Sequence, residues 1–330
     1  MARNVIFSLW SGPLPTISEL HFRSTLHHMG PETEYHLYLD TSPGYEGVVT
    51  EEFGWLEKDP RVHITRISVV DYLRSHGIAL PDNPSHFLST ALVRLWLRRW
   101  FLLLLGIQKI VNRVLPANSA VSLLPHGVHN DPAFGITAGH GFSPWRQEED
   151  LSYRADMFRA LAPELFPDAN VLWLDLDIAV LEDLSWLENK EPLVYRWGTY
   201  PFGNNAVIYL PADHPDARRG LVSAMNNLGA ARPWTLFSDS VCEAIGMTIL
   251  PVDEFDPPFT RGHELYEDYG GLLKPHSSAQ SLARSLQSSL KMLHWHNSWK
   301  IVPPEDSAFG HILRFYRSLA GATPTDQPDA

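Results

Sequence analysis

The sequence predicts an α/β protein with a Rossmann-type, mostly parallel central sheet flanked by helices, and three observations carry that prediction. Val171, Leu172, Trp173 and Leu174 form an unbroken apolar run that Asp175 and Asp177 end at once. A strand covered on both faces reads this way, as strands of a parallel sheet do. Up to His76 the chain alternates strand-like and helix-like segments, the βαβ pattern of a doubly wound sheet. Its 330 residues, 44% hydrophobic and 19% charged, match an ordinary globular enzyme and suffice for one large domain.

Taken in order, Val5 to Trp10 is the first buried strand, and Ser11-Gly12-Pro13-Leu14-Pro15 is a turn at its end. Ile17 to Met29 has helical spacing. Tyr35 to Leu39 is a second strand closed by Asp40, Arg61 to Ile67 a third, and Asp71 to His76 a short helix. Ser85 to Leu105 is a long helix with Leu88, Ala91, Leu92 and Leu95 on one stripe. Its Arg94 and Arg98 share a face, which fits either a core helix with surface arginines or a basic helix resting on a membrane. Residues 106–150 are rich in Gly and Pro and lack a clear period, as a lid or an acceptor-binding insertion would be. His126, His129 and Asp131 lie there, either as metal ligands or as solvated loop residues.

From Ser152 the chain reads as a helix, a tight turn and the buried strand with its Asp-x-Asp. Asp156 and Arg159, three apart on that helix, share a face. Glu191 to Arg196 and the stretch Pro201 to Leu210 are further strands, and His214 to Leu228 is a helix with Pro215 in its first turn. Asp239 opens a helix running to Ile245, and Thr248 to Pro251 is a strand. Ser277 to Leu293 is an amphipathic helix with Leu282, Leu286, Leu290 and Leu293 in line, ending at His294-Trp295-His296-Asn297-Ser298-Trp299-Lys300. Residues 1–320 form one domain, with residues 321–330 a disordered tail.

Composition narrows the partners. The formal net charge is -12 and no long basic run appears, so nucleic acid is not expected. One cysteine, Cys242, rules out an internal disulfide framework. The best membrane candidate, Ala91 to Leu105, is broken by Arg94, Arg98 and Arg99, and its charge-free part falls short of the roughly 18 residues a span needs. The segment after Met1 enters a strand without an apolar leader. A cytoplasmic enzyme is the expectation, with at most peripheral contact at the inner face of a membrane.

The chemistry gathers at the end of the apolar strand. In open α/β sheets ligands bind outside the carboxyl ends of the strands. Two carboxylates placed there call for positive charge, and a hard divalent cation supplies it. Asp at a strand end also serves as a turn or helix cap. Asp156 and Arg159 can be a plain ion pair. Trp10 can plug the core, Asn204 and Asn205 can form a turn, and Asp239 can cap its helix.

The set Tyr153, Asp156, Arg159, the apolar strand, Asp175, Asp177 and Leu184 resembles the donor-binding core of metal-dependent glycosyltransferases of the GT-A fold, above all families 32 and 8. Ala155 stands where those families have Ser, and Trp173 where they have Tyr. The strand Glu34 to Asp40 is similar to their glutamate-aromatic-x-leucine-x-x-aspartate strand. Leu9, Trp10 and Ser11 match their first strand and the loop that touches the nucleotide. Asn204 and Asn205 precede an Ala-hydrophobic strand like the one lying against the transferred sugar, and amides can give and accept hydrogen bonds with its hydroxyls. His294 to Lys300 resembles the His-Trp-x-x-Ser-Trp ending of family 32 and the His-x-x-Gly-x-x-Lys ending of family 8. Arg232 replaces the Gly of the Gly-Pro segment before Asp239, and the 106–150 insertion departs from the family pattern.

That resemblance implies a GT-A-like fold and a retaining transfer of sugar from a nucleotide-diphosphate donor, UDP-sugar foremost, to an acceptor hydroxyl. It implies Mn²⁺ or Mg²⁺ held by Asp175, Asp177 and His294. Asp156, Arg159, Trp299 and Lys300 fall on the donor side, and Asp175, Asp177, Asn205 and Asp239 about the reacting centre. The acceptor could be a glycan, a lipid-linked sugar, a protein or a small molecule. Two alternatives remain. A sugar-1-phosphate nucleotidyltransferase would carry a Gly-rich basic loop after the first strand, and Ser11 to Pro15 has no Lys or Arg. A non-catalytic carbohydrate- or partner-binding module would have no need of the full Asp175, Asp177 and His294 set.

Overall fold

The apolar runs of the sequence become the strands of one seven-stranded sheet. A computed structural model describes residues 2–42, 44–77, 147–188, 190–196, 203–226, 236–256, 269–296 and 301–321. It divides the chain into two compact units, residues 1–76 with 155–330, and residues 77–154. Of the second unit only Gly77 and residues 147–154, the start of a helix, are described. The helix expected over 85–105, His126, His129, Asp131 and nearly all of the 106–150 insertion lie outside the described residues. So do residues 322–330.

In the first unit β1 (Arg3–Trp10) leads to helix α1 (Glu19–His28), β2 (Thr33–Asp40), β3 (Val62–Ile67) and α2 (Val69–Ser75). Helix α3 (Gln147–Leu161), which belongs to this unit from Ala155 on, precedes β4 (Ala169–Leu174) and β5 (Ile178–Val180), followed by β6 (Leu193–Arg196) and β7 (Gly203–Leu210). Helices α4 (Pro215–Asn226) and α5 (Asp239–Ile245), β8 (Thr248–Leu250), α6 (Ala279–Ser289), β9 (Met292–His294) and α7 (Ala308–Gly321) complete the unit. The strand order is β3-β2-β1-β4-β7-β6-β8. β7 alone runs against its neighbours, antiparallel to both β4 and β6. The rest of the sheet is parallel, so the α/β, mostly parallel class expected from the sequence is what the structure has.

Alternation along the strands builds a core on each face. On one face Ile6, Tyr35, Leu37, Leu39, Leu172 and Leu174 pack with Phe22 and Leu26 of α1. On the other, Phe7 and Trp173 meet edge to face at 4.9 Å, and Phe158 of α3 lies 6.3 Å from Trp173. Burial of each such side chain is worth about 1.5–3 kcal/mol. A second cluster joins Leu20 of α1 to Leu286 of α6 and to Phe309, Ile312 and Tyr316 of α7. Gly12, at φ +87°, turns the chain after β1, a backbone state that favours glycine. Among the described residues no helix is long and apolar enough to cross a membrane.

One expectation is corrected. The helix read as Ser277 to Leu293 stops at Ser289, and Met292–His294 is a strand. Ser289 Oγ donates back to Ser285 O at 2.7 Å, and Lys291 N then donates to Glu254 O at 2.9 Å. The backbone leaves the helix because it has a tertiary partner. Beyond Lys300 the chain forms α7, an amphipathic helix. Ser307 caps it by accepting from Gly310 N at 3.0 Å. A Cβ on Gly310 would sit 2.3 Å from Pro304 O and 2.7 Å from Glu305 O, both backbone atoms. Gly310→Ala is therefore expected to cost about 1–3 kcal/mol of stability, as overpacking does. Urea denaturation reads this directly; an unmoved midpoint would mean that the 304–305 turn yields freely.

Candidate functional site

The site is assembled at the carboxyl edge of the sheet, where β4 ends. Asp175 and Asp177 leave that edge, and the antiparallel β7 starts beside them, with Asp175 N donating to Ala206 O at 2.9 Å. Two short strands then close a gap that spans much of the chain. β5 pairs antiparallel with β9, Ile178 opposite His294. Trp295 N donates to Asp177 O at 3.1 Å. That register sets the side chains of Asp177 and His294 next to each other. His294 N donates to Phe255 O at 3.3 Å, which draws the 254–256 segment to the same place.

Four titratable side chains meet there. Asp177 Oδ2 and His294 Nε2 are 3.2 Å apart, and the two residues are 2% and 4% exposed. His296 Nε2 donates to Asp256 Oδ2 at 2.6 Å, and His294 Nδ1 is 3.6 Å from the same oxygen. The rings of His294 and His296 stack at 3.5 Å, and Tyr195 Oη is hydrogen-bonded to His294 Nδ1 at 2.6 Å. Burial disfavours a charged imidazole, but Asp177 and Asp256 override it and hold the His294 pKa up at about 10. Burial and the neighbouring His294 charge lower that of His296. Burial would raise the Asp256 carboxyl, but His296 and His294 keep it below its ordinary value. His296 has φ 45°, the one positive-φ non-glycine among the described residues. Such strain persists where surrounding structure imposes it.

The donor set fits a divalent ion. Asp256 Oδ1 is buried with no hydrogen-bond partner among the described residues, an acceptor ready for a cation. The 3.2 Å between Asp177 and His294 is close to the roughly 3.0 Å between adjacent ligands on an octahedral ion with bonds of about 2.1 Å. Asp256, His294 and His296 also converge within 4.8 Å. Carboxylates mixed with imidazoles suit Mn²⁺ better than the all-oxygen preference of Mg²⁺.

A second network sits beside β4. Arg159 is buried, with Nη2 3.1 Å from Asp156 Oδ1 and Nη1 donating to Asp175 Oδ2 at 3.0 Å and to Asn205 O at 2.8 Å. Its guanidinium lies 5.0 Å from the centroid of the Trp173 ring. Trp173 Nε1 donates to Asp175 Oδ1 at 2.7 Å, and Asn205 Nδ2 to Asp156 Oδ1 at 2.9 Å. Burial pushes the Asp175 carboxyl up to about 6, although the Arg159 charge pulls it down. Both Asp175 oxygens are thus engaged by Trp173 and Arg159, so this aspartate is anchored in the network.

The remaining expected residues are more scattered. Asn204 is buried, its Oδ1 accepting from Ala206 N at 2.9 Å. Leu9 is buried in β1; Trp10 Nε1 donates to Pro13 O at 2.8 Å and Ser11 Oγ to Asp40 Oδ2 at 3.2 Å, which shapes the loop after β1. Asp239 lies at the exposed start of α5 and pairs with Arg196 Nη1 at 2.6 Å. Trp299 and Lys300 lie outside the described residues. Sequence reasoning missed Asp256 and His296. The signal for His296 was its place two residues after His294 in the same motif; Asp256 carried none.

No protein-family profile matches the sequence, and no curated protein matches it. Solved structures do. The WbbM bifunctional glycosyltransferase in its apo form aligns over 98% of this chain at 10% identity and a TM-score of 0.46. The glycosyltransferase GlyE of Streptococcus pneumoniae TIGR4 aligns over 99% at 10% identity and 0.40. The galactosyltransferase LgtC, solved with donor and acceptor sugar analogs, aligns over 98% at 12% identity and 0.41. The chain spans 50% of the length of the first, 66% of the second and 97% of the third.

Proposed function

We propose that this chain is a metal-dependent glycosyltransferase of the GT-A type that moves a sugar from a nucleoside-diphosphate sugar, a UDP-sugar first of all, to an acceptor hydroxyl with retention. One observation carries the reading: Asp177 of the Asp-x-Asp faces His294 of the C-terminal His-Trp motif, buried, 3.2 Å apart at the carboxyl edge of the sheet. These are the two motifs on which the resemblance rests.

Asp177, His294, Asp256 and His296 would hold Mn²⁺, with Asp175 beside them. A bound divalent cation supplies positive charge where the leaving diphosphate gains negative charge. The residues themselves position the donor. Asp156 and Asn205, locked together by Arg159, present acceptors and an amide to ribose or sugar hydroxyls. Trp10 and Ser11 would flank the nucleotide from the loop after β1, and Trp299 and Lys300 are assigned to donor binding, Lys300 to the diphosphate. Asp239 stands as an acceptor-side group. The acceptor is a glycan, lipid-linked sugar, protein or small molecule, and the 106–150 insertion selects it. Retention follows a same-face course. The anomeric C–O bond to phosphate breaks, the acceptor oxygen bonds to that carbon from the same side, and its proton passes to the departing diphosphate.

The test is thermal stability with UDP-, GDP-, dTDP- and CMP-sugars, each with and without Mn²⁺, followed by donor hydrolysis without acceptor. A ligand that binds only the folded state at about 100 times its Kd stabilises by roughly 2.7 kcal/mol. The expected result is a Mn²⁺-dependent rise with one nucleotide class and slow release of free sugar. Pyrophosphate release from a nucleoside triphosphate and a sugar phosphate would overturn the reading, as would no response to any donor.

A further inference from the structure

A second cluster of metal-ligating side chains lies on β2 and β3, away from the carboxyl edge. These strands are parallel and in register at His36 and His63, so both imidazoles project from the same face. Their ring centroids are 4.7 Å apart. Glu34, two residues before His36, points to that face too. Its Oε2 is 2.9 Å from His36 Nε2 and 3.8 Å from His63 Nε2. Both ring nitrogens therefore aim at one carboxylate oxygen, and the three donor atoms fall within 4.8 Å of one another.

We propose that Glu34, His36 and His63 form a surface site for a borderline divalent cation of the Zn²⁺ class. Two imidazoles and a carboxylate make up the three-ligand set of open zinc sites, whose fourth position is left to water. Imidazole-rich donors favour Zn²⁺, Ni²⁺ and Cu²⁺ over Mg²⁺.

The site is built and open at once. The Phe166 ring lies edge-on to His36 at 4.8 Å and fixes that imidazole. Arg3 Nη1 lies 3.5 Å from the other Glu34 oxygen, Oε1, and turns Oε2 toward the histidines. β3 is the edge strand of the sheet, and the His63 side chain is 46% exposed, so an ion can enter from solvent. In the resemblance noted above His36 occupies an unspecified position of the β2 motif, and His63 none. The site is also remote from the Asp177 centre along the sheet. Asp40, at the carboxyl edge, is four residues beyond His36, about 13 Å at the rise of a strand.

A cation here would clip the edge strand β3 to β2, which otherwise is its sole partner in the sheet. The proposal does not depend on the glycosyltransferase reading. Equilibrium dialysis of the full chain against Zn²⁺ alone, with bound metal counted, tests it. The variants are His63→Ala and Glu34→Gln, with the pair His294→Ala and His296→Ala to remove both imidazoles of the other candidate centre. In the His294→Ala/His296→Ala background one equivalent of Zn²⁺ should bind, and adding His63→Ala or Glu34→Gln should weaken it at least ~10-fold. Paramagnetic Ni²⁺ should broaden the ring signals of His36 and His63 together. Equal stoichiometry and affinity with and without His63→Ala, or broadening confined to other histidines, would overturn it. Circular dichroism identifies an unfolded variant; should either fail to fold, Ni²⁺ broadening in the unsubstituted chain decides alone.

Discussion

Asp177→Asn is expected to abolish the Mn²⁺-dependent rise in melting temperature and to lower sugar transfer at least ~100-fold, the scale on which loss of one charge-stabilising group acts. The substitution keeps the shape and can still hydrogen-bond His294, but it removes the negative oxygen that faces Nε2 at 3.2 Å. The fold should survive, because Asp177 contributes its backbone carbonyl, not its side chain, to the β5–β9 junction through Trp295 N. Asp177→Ala is the harsher variant. It leaves His294 buried against Asp256 alone, and breaking a buried charge pair typically costs about 3–5 kcal/mol. A variant that folds but does not turn over separates the two effects. Asp256→Asn tests how far the centre extends: a matching loss would put Asp256 among the ligands, whereas loss of stability alone would leave it as support for His296. Full transfer activity in Asp177→Asn would refute the proposed function.

What was legible in the sequence follows from how local the determinants are. β1 and β7 hold apolar runs beside polar residues and β2 alternates, while Val171 to Leu174 of β4 is a continuous apolar run, as a strand buried on both faces reads. Asp175 and Asp177 could be placed because they follow such a stretch directly. Asp156 and Arg159 could be placed because three residues along a helix is one face, and the structure adds that they grip Asp175 and Asn205. β5 and β9 were invisible for the opposite reason. Each has three residues, too few for a period, and each exists only because the other is there. The leucine stripe of α6 runs past its true end into Leu290 and Leu293, so spacing alone extends the helix over a strand. Asp256 belongs to the site only through the backbone bonds that 254–256 makes to β9. In α7, Phe309, Ile312, Leu313 and Tyr316 follow helical spacing plainly, but the resemblance ends at Lys300 and gives that segment no role.

Arg159→Ala should produce the largest loss of stability, about 3–5 kcal/mol, because it strips the counter-charge from two carboxylates at once. Arg159 is 6% exposed. Its guanidinium spans Asp156 on its own helix and Asp175 at the end of β4, bonds the Asn205 carbonyl on β7, and lies over Trp173. No single-point cation covers that geometry. Arg159→Lys has one ammonium in place of a planar fork, so it should recover less than half of the loss. Asp175 is the sensitive partner, since burial already disfavours its charge while Arg159 is present. Adding Asp175→Asn to Arg159→Ala should therefore restore part of the stability, leaving a coupling energy of the order of 1–3 kcal/mol in a double-mutant cycle. Urea denaturation of the four proteins at neutral pH measures it. A deficit under about 1 kcal/mol for Arg159→Ala, or additivity in the cycle, would show that water replaces the guanidinium and that Asp156, Asp175 and Asn205 keep their places without it. In that case the network beside the metal centre would be a solvated surface, and the donor-positioning role assigned to Asp156 and Asn205 would fall with it.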